Sequence, residues 1–180
     1  MAQNLKPEDA GQVAEVLAWA AAEEKTIELV GGGSKAGLGR PIATDYRLDL
    51  SALNGVSLYE PEELVLRAAA ATPLGQIQAM LAQQRQQLAF EPPDFGDLYQ
   101  SINEQTIGGV LAANLAGPRR IKAGAARDHF LGFEGISGRG TAFKSGGRVV
   151  KNVTGYDLCK LMAGSFGTLA ALTEVTVKVL

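Results

Sequence analysis

A glycine-rich loop at residues 31–39 is the first part of the sequence whose residue types suggest chemistry. It reads Gly-Gly-Gly-Ser-Lys-Ala-Gly-Leu-Gly and directly follows a short apolar run. Consecutive glycines leave backbone N–H groups unshielded, so they can form a concave set of donors for phosphate oxygens. Ser34 would add a hydroxyl group and Lys35 a positive charge. A plain turn between strands remains the alternative, although a turn needs one or two glycines rather than five in nine positions.

The same loop loosely matches the G-x-G-x-x-A pattern of Rossmann-type dinucleotide-binding proteins. In that interpretation a helix begins between residues 33 and 36, and Asp49 is the downstream acid. The following residues disfavour a helix there, since they are Gly37, Gly39 and Pro41. The Rossmann interpretation therefore remains only as a rival.

A second glycine cluster, Thr106-Ile107-Gly108-Gly109, stands at the predicted start of a helix. Glycines there would expose N–H groups where the helix dipole is positive, which favours an anion. Alanines at 112, 113 and 116 would let a large flat ligand lie close to that helix. The cluster fits equally well a small-residue helix packed on a sheet.

A third cluster lies at residues 155–157 and 164–168. Two separated anion-binding loops suit a diphosphate that carries a nucleoside at one end and a large ring system at the other.

The elements that would position these loops follow from apolar periodicity and turn residues. Helices are predicted at residues 7–24, 73–86, 106–114 and 156–162. Strands are predicted at 26–30, 46–50, 56–59, 64–69, 130–137, 141–144 and 169–180, with a hairpin turn at 145–147. The mixed order of strands and helices predicts an α+β fold. We expect a small lobe at residues 1–55 and a larger lobe at 56–180, with a candidate binding loop at 91–103.

The overall composition excludes several classes of protein. The chain has 180 residues, of which 46% are hydrophobic, and a net charge of −2, so nothing favours nucleic acid as a partner. One cysteine excludes an internal disulfide, and with a single histidine it excludes a zinc site of four Cys and His ligands. We see neither a secretory signal nor an apolar run long enough for a transmembrane segment, and expect a cytoplasmic location.

These motifs together resemble a known family. The sequence contains GGGSKAGLG, TIGG…AAN…G, RD…LG and VVKNVTGYDLCKLMAGSFGTLAALTEVTVKVL. The series resembles the FAD-binding (PCMH-type) domain shared by relatives of vanillyl-alcohol oxidase and p-cresol methylhydroxylase. The phrases EPPDFG and VKNVTGYD are similar to the FAD-binding E subunits of bacterial glycolate oxidases. The resemblance extends over residues 8–180, and the KNVTGYDLCKL block is its most specific part.

The resemblance implies a two-lobed α+β fold with FAD extended between the lobes. Carried onto this sequence, the pyrophosphate would be cradled by Gly31, Gly32, Gly33, Ser34 and Lys35. The other side of the dinucleotide would be lined by Thr106, Ile107, Gly108, Gly109, Asn114 and Gly117. Pro92 and Pro93 would lie near the flavin, and main-chain contacts would come from Thr173, Glu174 and Val175.

The resemblance also implies a function. The chain would be the FAD-binding domain or subunit of a flavin-dependent oxidoreductase that acts on small 2-hydroxy acids. Its partners would be a related flavoprotein subunit and an iron–sulfur subunit, which would allow peripheral attachment to the inner membrane face. We expect the isolated chain to be inactive.

Two departures from the family pattern matter. Some relatives tether FAD to a histidine near the first loop, but no histidine lies between Gly31 and Pro41, so we expect non-covalent FAD. The family's chains continue into a cap domain over the isoalloxazine, whereas this sequence stops at Leu180. We therefore expect an exposed flavin side and weakened retention of FAD.

No residue stands out as a catalytic base. The lone His129 is more typical of a structural histidine, and Cys159 of a small buried hydrophobic residue. Three rivals stay open: a module that only holds flavin or relays electrons, a Rossmann-type nicotinamide enzyme, and a cell-wall-precursor reductase on the same FAD fold.

Overall fold

The computed structural model describes residues 2–99, 101–147 and 155–180. Within these ranges the chain forms an α+β fold with two sheets, as predicted. The part of the subunit-specific motif at residues 148–154 lies outside the described residues.

The first sheet is small and parallel. It consists, in the spatial order β1–β3–β2, of β1 (Gln3–Leu5), β2 (Ile27–Val30) and β3 (Tyr46–Asp49). Helix α1 (Ala10–Ala22) is capped at its N-terminus by Asp9, whose side chain accepts a hydrogen bond from the backbone N–H of Gln12. Val13 and Leu17, four residues apart on one helix face, pack against Leu48 of β3. The helix thus covers one face of this sheet.

The second sheet is larger and antiparallel throughout. Its spatial order is β4–β5–β8–β6–β7, and the strands are β4 (Val56–Glu60), β5 (Val65–Ala69), β6 (Phe130–Ser137), β7 (Ala142–Gly146) and β8 (Ala170–Lys178). The remaining helices are α2 (Leu74–Gln83), α3 (Gly96–Tyr99), α4 (Ile107–Ala112), α5 (Arg120–Ala123), α6 (Ala126–His129) and α7 (Leu158–Met162).

Two hydrophobic clusters hold these layers together. In the larger cluster, Ile77 of α2 and Val110 of α4 pack with Leu66 of the large sheet, and all three are fully buried. The smaller cluster contains the α1 contacts and also Ile136 and Ala171 of the large sheet. The two sheets therefore share a core.

The predicted helices and strands all exist in the described residues, with bounds that differ by three residues or fewer. The predicted hairpin turn at 145–147 is wrong, because Ser145 and Gly146 lie within β7. The turn between β6 and β7 lies at 138–141, where Gly140 has a positive φ of 75°. Gly146 instead allows a close backbone approach to the carbonyl of Leu131. Strand β1 and helices α3, α5 and α6 were missed, since three or four residues carry no periodic pattern.

The Rossmann interpretation predicted a helix that begins between residues 33 and 36. The chain forms turns there, and the next regular element after β2 is the strand β3. The structure therefore contradicts this rival. In the described residues, no helix has both the length and the apolar character needed to cross a bilayer.

Candidate functional site

A groove with a volume of about 600 Å³ lies where the two sheets meet. Such a volume falls within the usual range of ligand and cofactor sites. Residues of β2, β3, α4 and the segment leading into β8 line it. The groove brings together eight of the predicted site residues: Gly31, Gly32, Gly33, Ser34, Lys35, Thr106, Gly108 and Gly109. Ala112 and Ala113 also line it, as expected for a ligand lying along that helix.

The first glycine loop presents free donors to this groove. Within the described part of the chain, no hydrogen bond is donated by any backbone N–H of residues 31–35. Gly32 touches the carbonyl of Glu104 so closely that a methyl group there would overlap it. A methyl group on Gly31 would lie 2.7 Å from the Thr106 hydroxyl oxygen. Glycine is thus required because the two loops press together, and the same residue type leaves the amides open.

Lys35 links the first loop to the second. Its Nζ donates to the Ser34 hydroxyl at 3.2 Å and to the Gln105 Oε1 at 3.4 Å. Gln105 is buried, and its amide nitrogen donates to the carbonyl of Pro93 at 2.9 Å. Burial lowers the pKa of Lys35, and the nearby carboxylate of Asp94 opposes that shift.

The second glycine cluster differs from the expectation. Its N–H groups are already used: Ile107 donates to Thr72 O at 3.0 Å, Gly108 to Ala70 O at 2.8 Å, and Gly109 to the Thr106 hydroxyl at 3.2 Å. The prediction of exposed amides at this helix start is therefore wrong. The glycines serve close packing instead, since a methyl group on Gly108 would lie 2.7 Å from Ala70 O.

The groove is positively charged although the whole chain is acidic. Among its described lining residues, Lys35, Arg40 and Arg47 are the cations and Glu28 is the one carboxylate. Sequence reasoning missed Arg47. Successive side chains of a strand point to opposite faces of the sheet. Because Leu48 of β3 points to α1, the adjacent Arg47 must point to the opposite face, and this alternation could have identified it.

The remaining predicted site residues lie outside the groove lining. They are Ile107, Asn114, Gly117, Pro92, Pro93, Thr173, Glu174 and Val175. Ile107 and Val175 are fully buried in the larger core. The Asn114 Oδ1 accepts a hydrogen bond from the backbone of Arg127, and Gly117 donates to the carbonyl of Phe90.

Two of those residues on β8, Thr173 and Glu174, make contacts within the large sheet. The Thr173 carbonyl accepts a hydrogen bond from Ala70, and Glu174 forms an ion pair with Arg67. Residues 166–168 of the third glycine cluster do line the groove, although they were not among the predicted contacts.

The lone histidine and the lone cysteine are both buried. His129 Nε2 lies 2.8 Å from the carbonyl oxygen of Ala123, and its ring packs against Phe90. Burial raises the pKa of the Cys159 thiol to about 11, with a smaller contribution from Asp157, so the thiolate is disfavoured. Neither residue lines the groove. The described residues contain no group of three or more His, Cys, Asp or Glu that could hold a metal ion.

Comparison with known proteins identifies the family. Residues 2–146 match a family model described as an FAD binding domain. The chain belongs to this FAD-binding family. The family matches the resemblance to PCMH-type domains, and its members' cofactor explains a groove of this size with free amides and positive charge.

Individual relatives agree with the family. Glycolate oxidase subunit GlcE of Escherichia coli (strain K12) is 45% identical over 161 residues, which are 89% of this chain and 44% of that protein. The D-lactate dehydrogenase of Archaeoglobus fulgidus is 31% identical over 176 residues, or 97% of this chain and 38% of that protein. This chain thus spans less than half the length of either relative.

A solved structure of alkyldihydroxyacetonephosphate synthase superposes with a TM-score of 0.76 at 22% identity. The superposition covers 98% of this chain and 31% of the synthase chain. The likeness shows the α+β fold of the FAD-binding domain.

Proposed function

We propose that this chain is the FAD-binding part of a flavin-dependent oxidoreductase for small 2-hydroxy acids, similar to glycolate oxidase subunit GlcE. The observation that carries the proposal is the row of free amides at residues 31–35 in a positively charged groove of an FAD-binding family member. A diphosphate diester carries two negative charges and several acceptor oxygens. Free N–H groups and cations are the groups that bind it.

The residues present fit FAD. Gly31, Gly32, Gly33, Ser34 and Lys35 would bind the diphosphate, while Thr106, Gly108 and Gly109 would let an extended ligand approach α4. Three sets of proposed residues lie outside the groove lining: Pro92 and Pro93 near the flavin, Ile107, Asn114 and Gly117 on the other side of the dinucleotide, and residues 173–175 as main-chain contacts. His129, the single histidine of the sequence, does not line the groove, so the proposed attachment is non-covalent. When bound, FAD would supply the redox chemistry as an acceptor of two electrons, and this chain would supply binding and orientation.

We further propose that the chain works in a complex with a related flavoprotein subunit and an iron–sulfur subunit. The name of the relative GlcE as a subunit supports a multi-subunit assembly. A cytoplasmic location, with peripheral attachment to the inner membrane through partners, belongs to the same proposal.

Titration with FAD tests the cofactor directly. Saturable binding of one FAD per chain, followed by flavin absorbance, is expected, with no displacement by NAD or NADP. Acid precipitation should release all flavin into the supernatant. The proposal fails if FAD does not bind at a stoichiometry of one. Flavin that stays with the precipitate would overturn only the non-covalent attachment.

A second candidate is a module that only holds flavin or relays electrons. The observation that favours it is the burial of His129 and Cys159, neither of which lines the groove. Anaerobic addition of glycolate or D-lactate to the FAD-loaded chain separates the two. Loss of flavin absorbance would reject the relay-only function, whereas reduction that appears only after partner subunits are added would support it.

A further inference from the structure

We propose that Arg47 and Asn103 form, around Gly33, a second set of donors that binds a phosphoryl oxygen of the diphosphate. The inference deepens the proposed function and rests on it for the identity of the ligand. It assigns a specificity-determining role to two residues outside the glycine motif.

Both side chains converge on one point beside the loop. A Cβ built on Gly33 would lie 3.4 Å from Arg47 Nη2 and 3.4 Å from Asn103 Nδ2. Gly33 has a positive φ of 75°, a conformation that favours glycine over other residues. Arg47 lines the groove, and Asn103 lies exposed outside that lining. The absence of a side chain at Gly33 leaves the space between the two donor groups open.

These donors are not used within the described part of the chain. No hydrogen bond or ion pair there involves the Arg47 guanidinium or the Asn103 side-chain amide. By contrast, Arg67 and Arg119 each form ion pairs with glutamates. The Arg47 guanidinium carries five N–H donors and no acceptor, so its donors at the groove are available to an anionic ligand.

The chemistry of the surroundings selects phosphate. Arg47 lies on β3 opposite Glu28 of β2, and these two residues do not form an ion pair within 4 Å. Together with the free amides of residues 31–35, the Arg47 and Asn103 side chains offer more donors than the two oxygens of a single carboxylate could accept from. A planar guanidinium matches two phosphoryl oxygens at once, which a lysine cannot do.

The test uses thermal unfolding and binding of the full chain with two probes, FAD and inorganic pyrophosphate. Arg47→Gln and Asn103→Ala are compared with Arg139→Gln, which removes an exposed arginine of the β6–β7 turn. We expect Arg47→Gln to weaken binding of both probes about 10- to 100-fold, with a smaller loss for Asn103→Ala. Among the described residues neither side chain has a hydrogen bond or ion pair to lose, and Arg47 loses only the Coulombic attraction by which it helps to lower the pKa of Asp49. The unfolding temperature without ligand should therefore fall only slightly.

Arg47→Lys distinguishes charge from geometry. It should recover only part of the affinity, and the dependence of FAD affinity on salt should be shallower in Arg47→Gln than in the parent chain. Equal affinities of Arg47→Gln and Arg139→Gln for both probes would overturn the inference, as would a decrease in the unfolding temperature of ligand-free Arg47→Gln large enough to account for its weaker binding. If pyrophosphate binding depends on Arg47 but FAD does not bind, the donor set stands and the proposed function fails.

Discussion

At the scale of single residues, the site depends on positions where a side chain is excluded. Gly32 is the clearest, because its Cα faces the main-chain carbonyl of Glu104, which cannot rotate away as a flexible side chain would. Gly33 and Gly108 are constrained in different ways, the first by its positive φ and the second by Ala70. The glycines of the two clusters therefore meet different physical requirements.

Replacing Gly32 with alanine tests the close approach of the two loops. The methyl group would overlap Glu104 O, so the loop must move, and we expect a loss of about 1–3 kcal/mol in the free energy of unfolding. FAD affinity should fall at least tenfold. Gly138→Ala is the matched control, because a methyl group there meets nothing within 4 Å. Chemical denaturation and FAD titration measure both effects, and an unchanged Gly32→Ala variant would contradict the contact.

The lowered pKa of Lys35 predicts two opposite pH dependences. Burial penalises the charged form, so the ligand-free chain should gain stability as pH rises through the lowered pKa. FAD affinity should fall over the same interval, because the neutral amine no longer attracts the diphosphate. Unfolding and FAD titrations across alkaline pH measure both trends. Lys35→Arg should remove the fall in affinity, since arginine stays charged. A fall in affinity that persists in Lys35→Arg would assign it to another group.

At the scale of elements, ion pairs connect three strands of the large sheet on the face opposite the larger hydrophobic cluster. Arg67 of β5 pairs with Glu134 of β6, with an Nη2–Oε1 distance of 2.7 Å, and with Glu174 of β8. Strand β8 lies between β5 and β6, so Arg67 pairs with one carboxylate on the adjacent strand and with one on the strand beyond it. The pairs are partly exposed, which limits their contribution to stability.

Removing Arg67 should leave two neighbouring carboxylates without their cation. We expect Arg67→Met to reduce the free energy of unfolding by about 1 kcal/mol near neutral pH. High salt should reduce the difference. Adding Glu134→Gln to Arg67→Met should restore part of the stability, because it removes the repulsion between Glu134 and Glu174. Denaturation at two salt concentrations measures this, with the exposed pair Lys160–Asp157 as the reference. If the changes in the free energy of unfolding of the two single variants add up to that of the double variant, the two residues are not coupled.

At the scale of the whole molecule, the shared core determines how the two sheets behave. Ile136 of the large sheet is buried with Val13 and Leu48 of the small sheet and its helix. The sheets should therefore unfold together, although the proposed division into residues 1–55 and 56–180 separates them in sequence. The single tryptophan, Trp19, lies in α1 and reports on the small sheet.

Ile136→Ala tests this coupling. The lost packing should cost about 2–5 kcal/mol. In the parent chain, the midpoints from Trp19 fluorescence and from far-ultraviolet circular dichroism should coincide. In Ile136→Ala they should move apart, because the small sheet loses contacts to the large one. Val179→Ala is the control, since Val179 is fully buried in the larger cluster alone. Separate midpoints in the parent chain would show two independent units.

The order of elements could be predicted from the sequence because the information is local. Apolar periodicity identified α1 and α2, and glycine clusters identified the loop at residues 31–39. The family resemblance came from the same motifs and is confirmed by the family match. Short elements such as β1 were missed because three residues give no period, and β1 forms only by pairing with β3.

What the sequence by itself determined is therefore the α+β class, the family and the presence of a glycine loop suited to a diphosphate. Only the tertiary structure decided which amides are free. Among the residues that the structure describes, the N–H groups at 31–35 have no acceptor, while those of residues 107–109 donate to Thr72, Ala70 and the Thr106 hydroxyl. The structure also brought Arg47 and Asn103 to Gly33. A hydrogen bond between segments distant in the chain depends on packing, and no local pattern of residues encodes it.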